Sequence, residues 1–486
     1  MSCPAETQND IFERARLSRD PRFDGRFFIG VRTTGVYCRP ICPANPPRSE
    51  NVTFFPTAAA AGEAGYRPCL RCRPECAPGT PAWFGTSATV QRGLRLIAQG
   101  ALDDGDVETL AERLGVTGRH LRRLFAKHVG ASPLAVAHTQ RLHFAKQLID
   151  QTVLPMQAIS AAAGFGSVRR FNDTFRKTYG RPPRELRRGR VDLEREAPLN
   201  VRLPYREPYG WPQLLAFYAG RATPGVEHIV DGGYRRTVVV AGAPGSIDVR
   251  DIGGALSLTV RGLGTEALFG VVQRVRGMFD VDAPIDDITA RLAQDATLET
   301  WLRRNPGVRV PGAWDGWELA VRAVLGQQVS VKAATTFAGR IAAEYGEPCE
   351  LDGMPGARLF PTPQRLARAR LERLGIVRSR AQTIRDLAQA ALGGRVSFDG
   401  SEDAAEFSAA LRSIRGIGDW TAQYVAMRAL KDPDAFPAAD LGLLRAFDGA
   451  GGRLKPAALL ERAECWRPWR AYAALLIWSS DDGAGG

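Results

Sequence analysis

Nowhere does the 486-residue chain run to the roughly 18 consecutive apolar residues that a membrane span requires, and its opening, MSCPAETQNDIFERARLS, has no apolar core of a secretory signal. No membrane partner is expected, and a soluble, cytoplasmic protein is. The chain also lacks a disulfide framework: of its eight cysteines, Cys3, Cys76, Cys349 and Cys465 are scattered without pairing spacing, which implies a reducing compartment. Acidic excess is missing too. The net charge is +13, and the surplus is local: residues 1–84 hold 11 basic and 8 acidic residues, 85–190 hold 18 and 8, and the remainder 36 of each. A basic block of this kind reads as a phosphate-contacting module. The length predicts about three domains, and 44% hydrophobic residues suffice for their cores.

What is present starts with the other four cysteines. Cys38 and Cys42 stand at C-x3-C spacing and Cys69 and Cys72 at C-x2-C, two close pairs that can surround one tetrahedral zinc. Spacing alone predicts a structural crosslink, with Cys76 a bystander because four sulfurs fill the shell. The surrounding text, VRTTGVYCRPICPA and RPCLRCRP, resembles the amino-terminal domain of the Ada family of DNA alkylation sensors. That resemblance implies that Cys38 accepts a methyl group from a methylated DNA phosphate. Zinc keeps cysteine as thiolate at neutral pH, so no separate base is needed. A thioether has no return path, so transfer is expected to be stoichiometric. Loss of one negative charge lowers repulsion from DNA phosphates and makes repair a switch.

The basic block holds two similar units, TLAERLGVTGRHLRRLFAKHVG and MQAISAAAGFGSVRRFNDTFRKTYGRPP. In each, a short amphipathic helix meets a glycine turn, at Gly115 and Gly164, and then a cationic helix, the pattern of a helix-turn-helix. The helices starting near Thr117 and Ser167 present Arg119, Arg122, Arg123 and Arg169, Arg170, Arg176 as DNA-binding residues, and PLAVAHTQRLHFAKQLID reads as one connecting helix. The segment resembles the AraC family. The resemblance implies promoter DNA read in successive major grooves, with RNA polymerase as a further partner.

A charged, proline-containing linker is expected over 189–200. Beyond it, YRRTVVVAG, SIDVRDI and ALSLTVRG alternate with APG and GG and predict an antiparallel sheet, followed by helical patterns to the end. In LRSIRGIGDWTAQYVAMRALKDPDAFPAADLGLLRAF, Gly416 and Gly418 form a turn whose amides can approach a DNA phosphate. Asp440 follows Gly418 by 22 residues. Together with PYGWPQLLAFYAGRA, RAVLGQQVSV, FPTPQRLA and WRPWRAYA, this segment resembles the AlkA-type 3-methyladenine DNA glycosylase II.

That resemblance implies base flipping, with Asp440 stabilising the oxocarbenium-like sugar and orienting water. Trp420 and Tyr424, four apart on one helix face, and Trp469 would bind the base, and Gln328 would stand where the family places a wedge. Electron-rich rings favour a cationic alkylpurine by roughly 0.5–2 kcal/mol, whereas Trp466 is expected in the core. The resemblance also implies a monovalent cation on carbonyls near Ile414 and Ile417. Two residues after Gly418, where strand-cleaving relatives carry a lysine, stands Trp420, so base release without strand cleavage is expected. Cys465 stands alone, so no iron–sulfur cluster is expected. The P-C-H-R-V motif of O6-alkylguanine methyltransferases is absent from the chain.

The expected architecture is multidomain α+β: a zinc and methyl-acceptor domain over 1–80, an all-α double helix-turn-helix domain over 85–188, an antiparallel β subdomain over 201–275 and a helix-hairpin-helix glycosylase over 276–486. The expected function is bacterial, nucleoid-associated DNA alkylation repair coupled to transcription regulation by a monomer acting on alkylated and promoter double-stranded DNA. Substrates would be methylphosphotriesters, 3-methyladenine and 7-methylguanine. The alternatives are an activator with an inert glycosylase part, and a metabolite-sensing AraC regulator, whose sugar-binding barrel has no counterpart in the cysteine segment. Metal analysis should find one zinc per chain, and mass spectrometry after exposure to methylated DNA a single methyl, on Cys38. Repeated turnover at Cys38 would contradict the reading.

Overall fold

The computed structural model describes residues 7–78, 88–103, 105–187, 199–351, 353–447 and 454–481. Cys3, residue 188 and most of the expected linker, 189–198, lie outside the described residues. The chain divides into two compact units, one formed by Met1–Arg206 with Gly264–Gln273 and Val281–Ala283, the other by Glu207–Leu263, Arg274–Asp280 and Pro284–Gly486.

The first unit opens on a small sheet of β1 (Phe28–Val31), β2 (Val36–Cys38), β3 (Val52–Phe55) and β4 (Arg67–Pro68), in the order β3-β1-β2-β4. β1 pairs antiparallel with β2 and β3, with Ile29 opposite Cys38, while β2 and β4 run parallel. Among the described residues it carries two small apolar clusters, Ala15, Phe27, Ile29 and Val31 in one, and Phe28, Tyr37, Ala58 and Ala61 in the other. So small a core calls for a crosslink, which the cysteines can provide.

Both helix-turn-helix units form as the sequence predicts. Val107–Arg113 turns at Gly115 into Gly118–His128, and Met156–Ala162 turns at Gly164 into Val168–Tyr179. The turn glycines have φ of +70° and +72°, where a side chain would be strained. Thr117 and Ser167 cap the reader helices by accepting from the amides of His120 and Arg170, each such cap contributing about 1 kcal/mol. Leu121, Phe125, Phe171 and Phe175 face inward and leave the arginines on the opposite side.

The connecting helix Pro133–Gln151 is also the seat of the cysteine segment. The Tyr37 hydroxyl lies 2.9 Å from Nε2 of His143, Thr57 donates to the Val129 carbonyl at 3.0 Å, and Glu63 accepts from the Ser132 amide and hydroxyl. Beneath them, Lys146 pairs with Asp150 at 2.5 Å and Glu75 at 3.5 Å, and Arg73 with the same two carboxylates at 2.5 and 3.3 Å. Two cations and two anions thus balance where Lys146, Glu75 and Asp150 are at most 5% exposed. β5 (Leu199–Pro204) lies beside this helix, with the Gln147 amide donating to the Arg202 carbonyl at 2.6 Å.

The second unit carries β6 (Glu227–Val230), β7 (Gly233–Val240), β8 (Ala243–Asp251) and β9 (Ala255–Arg261) in an antiparallel run. The long helical pattern after Gly316 divides into Gly316–Leu325 and Val331–Tyr345, broken by a loop in which Gln328 takes φ +54°. Later come Arg378–Leu392, Ala404–Arg412, Asp419–Ala429 and Arg470–Asp481. A buried ionic network links sheet to helix: Arg236 meets Glu318 at 2.6 Å and Arg322 meets Glu227 at 2.7 Å, while the Tyr234 hydroxyl donates to Glu227 at 2.5 Å. Burial opposes ionisation of Glu227, yet Arg322 and Arg236 draw its pKa down to about 2. Among the described residues no helix is long and apolar enough to cross a membrane.

Burial lowers the His143 pKa from 6.5 to about 4, so the native state excludes a proton that the unfolded chain takes up. Its contribution to stability is complete above pH 6.5 and declines as pH falls toward 4. Denaturation of wild type and His143→Gln across that window should show the steeper acid loss in wild type. Parallel curves would remove this assignment.

Candidate functional sites

In the first unit, strand pairing brings the cysteines together. Cys38 ends β2, the Cys69 amide donates to the Tyr37 carbonyl at 2.9 Å, and turns at Arg39–Cys42 and Cys69–Arg73 fold the second member of each pair back. The four sulfurs lie within 4.8 Å of one another. Zinc–sulfur bonds of about 2.3 Å place tetrahedral sulfurs roughly 3.8 Å apart, so the set fits one zinc. Deprotonation of all four together requires a cation among them. The Arg39 amide donates to Cys72 Sγ at 3.3 Å, and its guanidinium is pinned by Asp24 and the Cys72 carbonyl. Cys76 stays outside the cluster, its thiol pushed up by burial.

On the reader helices, Arg119, Arg122, Arg123, Arg169, Arg170 and Arg176 are all exposed. Arg122 is paired with Glu108 at 2.7 Å, and Arg123 lies 3.0 Å from Nδ1 of His120.

In the second unit, Gly416 and Gly418 are exposed at the turn between Ala404–Arg412 and Asp419–Ala429. Gly416 has φ +93°, and a Cβ there would lie 2.2 Å from the Thr383 hydroxyl, so only glycine fits. Gln327 ties the neighbouring loop to this turn, donating to the Gly416 carbonyl at 2.9 Å and to Thr421 at 3.0 Å. Next to it, Gln328 is exposed. The Ile414 carbonyl accepts from the Ile417 amide at 3.0 Å.

The helix Asp419–Ala429 buries Thr421, Ala422, Val425 and Ala426, and its other face carries Trp420, Tyr424 and Arg428 at four-residue steps. These three border a cavity of about 620 Å³ together with Asp440, Trp478, Phe217, Arg221 and Arg322. Asp440 caps the helix Leu441–Arg445 by accepting from the Leu443 amide at 3.0 Å. The same carboxylate accepts from Trp420 Nε1 at 2.7 Å and Trp478 Nε1 at 2.9 Å. Trp420 and Tyr424 stack with centroids 5.2 Å apart at 8°, and Arg428 donates to the Tyr424 hydroxyl at 2.5 Å. Burial raises the Tyr424 pKa, but Arg428, Arg221 and Arg322 outweigh it and bring it below 10.

Trp469 requires a correction. It is 6% exposed, packs edge-on to Tyr472 at 5.8 Å and is not among the residues bordering the cavity. Trp478, two turns into the final helix, occupies that wall instead. Trp466 is a core residue, fully buried with its indole donating to Asp295 at 3.1 Å. Sequence reasoning also missed Phe217, Arg221, Arg322 and Arg428. The step from Trp420 through Tyr424 to Arg428 was the available signal for the last; the others come from distant segments.

Fold and sites define a two-part DNA-directed protein, a thiolate clip on a paired helix-turn-helix and a helix-hairpin-helix glycosylase fold. Residues 12–75 match the metal binding domain of Ada, 110–189 a helix-turn-helix domain, 200–315 the AlkA N-terminal domain and 321–471 the HhH-GPD superfamily of base excision DNA repair proteins. The probable bifunctional transcriptional activator/DNA repair enzyme AlkA of Mycobacterium tuberculosis is 40% identical over 480 residues, 97% of each chain. DNA-3-methyladenine glycosylase 2 of Escherichia coli is 34% identical over 288 residues, 57% of this chain and 96% of its own. A solved 3-methyladenine DNA-glycosylase from Archaeoglobus fulgidus shares the fold at TM-score 0.52 and 22% identity, covering 58% of this chain and 98% of that one. The chain belongs to the family of bifunctional Ada–AlkA transcriptional activator and DNA repair enzymes.

Trp478→Phe keeps the ring but removes one donor to Asp440, and should slow excision of a damaged base about tenfold or more. Trp469→Phe should alter thermal stability and leave the single-turnover rate within about twofold. The opposite ordering would return Trp469 to the site.

Proposed function

We propose that the protein repairs DNA alkylation by two chemistries and reports the damage to promoters. The observation that carries this is the Asp440 carboxylate, held by two indole N–H groups and a backbone amide at the wall of an aromatic cavity. There a flipped alkylated purine, 3-methyladenine or 7-methylguanine, loses its bond to C1′. The bonding electrons leave with the base, the developing sugar cation faces Asp440, and water adds to C1′ and gives up a proton to solvent, leaving an abasic site. Trp420, Tyr424 and Trp478 hold the base, Gln328 fills the gap it leaves, and the Gly416 and Gly418 amides meet a phosphate. The indole at Trp420 cannot form a Schiff base, which supports a monofunctional hydrolase. Carbonyls near Ile414 and Ile417 would take a monovalent cation.

In the first unit Cys38, Cys42, Cys69 and Cys72 would hold zinc, which supplies charge that keeps the sulfurs anionic. Cys38 Sγ attacks the methyl carbon of a methylphosphotriester; the S–C bond forms, the O–C bond breaks, and the phosphate oxygen keeps the electron pair as a restored diester. The lost thiolate charge favours DNA contact by Arg119, Arg122, Arg123, Arg169, Arg170 and Arg176. RNA polymerase would read the resulting promoter complex. We assign the working segments to 1–80, 85–188, 201–275 and 276–486, joined by 189–200, in a monomer associated with bacterial DNA.

Single-turnover assays on duplexes carrying 3-methyladenine should show wild type releasing the base without strand cleavage and Asp440→Asn slowed by about 10²-fold or more. An inert wild type would leave the activator reading, with a silent glycosylase part, in its place.

A further inference from the structure

The aromatic walls of the cavity already hold the protein's own cations. The Arg221 guanidinium lies 3.8 Å from the centroid of the Phe217 ring, and that of Arg428 lies 4.9 Å from the same ring and 5.2 Å from the Tyr424 ring. Tyr424 is also stacked on Trp420. A ring face engaged by a guanidinium offers little to a second cation, and the two charges repel.

The three inner arginines are not equivalent. Arg322 is neutralised by Glu227 and Glu318 and also donates to the Arg221 carbonyl. Arg428 donates to the carbonyls of Pro311 and Gly312 and to the Tyr424 hydroxyl, which fixes it as part of the wall. Among the described residues Arg221 has no carboxylate within ion-pair distance; its Nη1 donates to the Phe217 carbonyl at 3.3 Å and the Tyr424 hydroxyl is a second partner, which leaves further guanidinium donors for the cavity. Burial depresses its pKa, the sign of a cation held where charge is poorly solvated. A desolvated guanidinium bordering a base-sized cavity is a donor fork for a carbonyl or ring-nitrogen acceptor.

We propose that Arg221 is a specificity-determining residue that turns the base pocket toward neutral purines bearing a hydrogen-bond acceptor, such as hypoxanthine, and against cationic alkylpurines. This rests on the reading of the cavity as a glycosylase site. It reverses the selection by charge that the aromatic residues alone would give: Asp440 and the outer ring faces attract a cation, while Arg221 repels it and rewards an acceptor edge. Cationic bases remain substrates because their glycosidic bond is intrinsically weaker, so the effect of Arg221 is read in a ratio rather than in an absolute rate.

The test uses the full chain and two duplexes that differ at one position, 7-methylguanine, which is cationic, and hypoxanthine, which is neutral; both carry the six-position carbonyl. Arg221→Met should raise the ratio of single-turnover rates, 7-methylguanine over hypoxanthine, by about tenfold or more. Arg221→Lys, which keeps the charge, should hold that ratio within about threefold of wild type. A ratio that stays put in Arg221→Met while both rates fall together overturns the proposal, as does an equal shift in the methionine and lysine variants. If Arg221→Met does not fold, as judged by its thermal melt, a ratio in Arg221→Lys more than about threefold above wild type overturns it and an unchanged ratio upholds it. Wild type that releases neither base sinks the glycosylase reading itself, a result distinguishable from either.

Discussion

One carboxylate organises the second unit. Asp440 accepts from an indole on Asp419–Ala429, an indole on Arg470–Asp481 and the first turn of the helix it caps. Three separate segments are thereby held to one carboxylate by donors whose hydrogen bonds weaken steeply once they turn out of line. The cavity wall is a by-product of that convergence. The helix from Asp419 can present Trp420, Tyr424 and Arg428 together only because its other face is packed into the core. The adjoining turn can hold Gly416 against Thr383 only because no side chain stands between them.

Support for this arrangement comes from groups that do no chemistry. The pairs joining Arg236, Glu318, Arg322 and Glu227 are buried, and each carboxylate meets more than one partner. Desolvation makes such sets costly to form and costlier to break singly.

Local signals in the sequence were strong wherever neighbouring residues decide geometry. The C-x3-C and C-x2-C pairs, the glycine turns before Thr117 and Ser167, the strands of the sheet and the Gly416 hairpin all depend on contacts within a few residues. Asp440 was legible by its distance from the hairpin, and its capping role and its place at the cavity are both real. The error at Trp469 has a different origin. Trp466, Trp469 and Trp478 share one aromatic-rich stretch, and which of them faces the cavity depends on where the final helix begins and which side it buries, a property of tertiary packing. Arg221 was hidden for the same reason, since Phe217 and Tyr424 lie some two hundred residues apart in the chain. The seating of the cysteine segment on Pro133–Gln151 was equally invisible: Glu75, Lys146 and Asp150 look like ordinary solvated charges until they are found together.

That ion cluster and the arginines on the reader helices are both electrostatic, yet they answer differently to dissolved ions. Mobile ions cannot enter the space around Lys146, Glu75 and Asp150, so their attraction is nearly independent of ionic strength. The exposed arginines are open to water and mobile ions, so any pairing they make with phosphates would weaken steeply as salt rises. Added salt would therefore release DNA from these helices long before it parts the cysteine clip from the helix beneath. On that reading the cysteine clip and the paired helix-turn-helix units would arrive at DNA, and leave it, as one body.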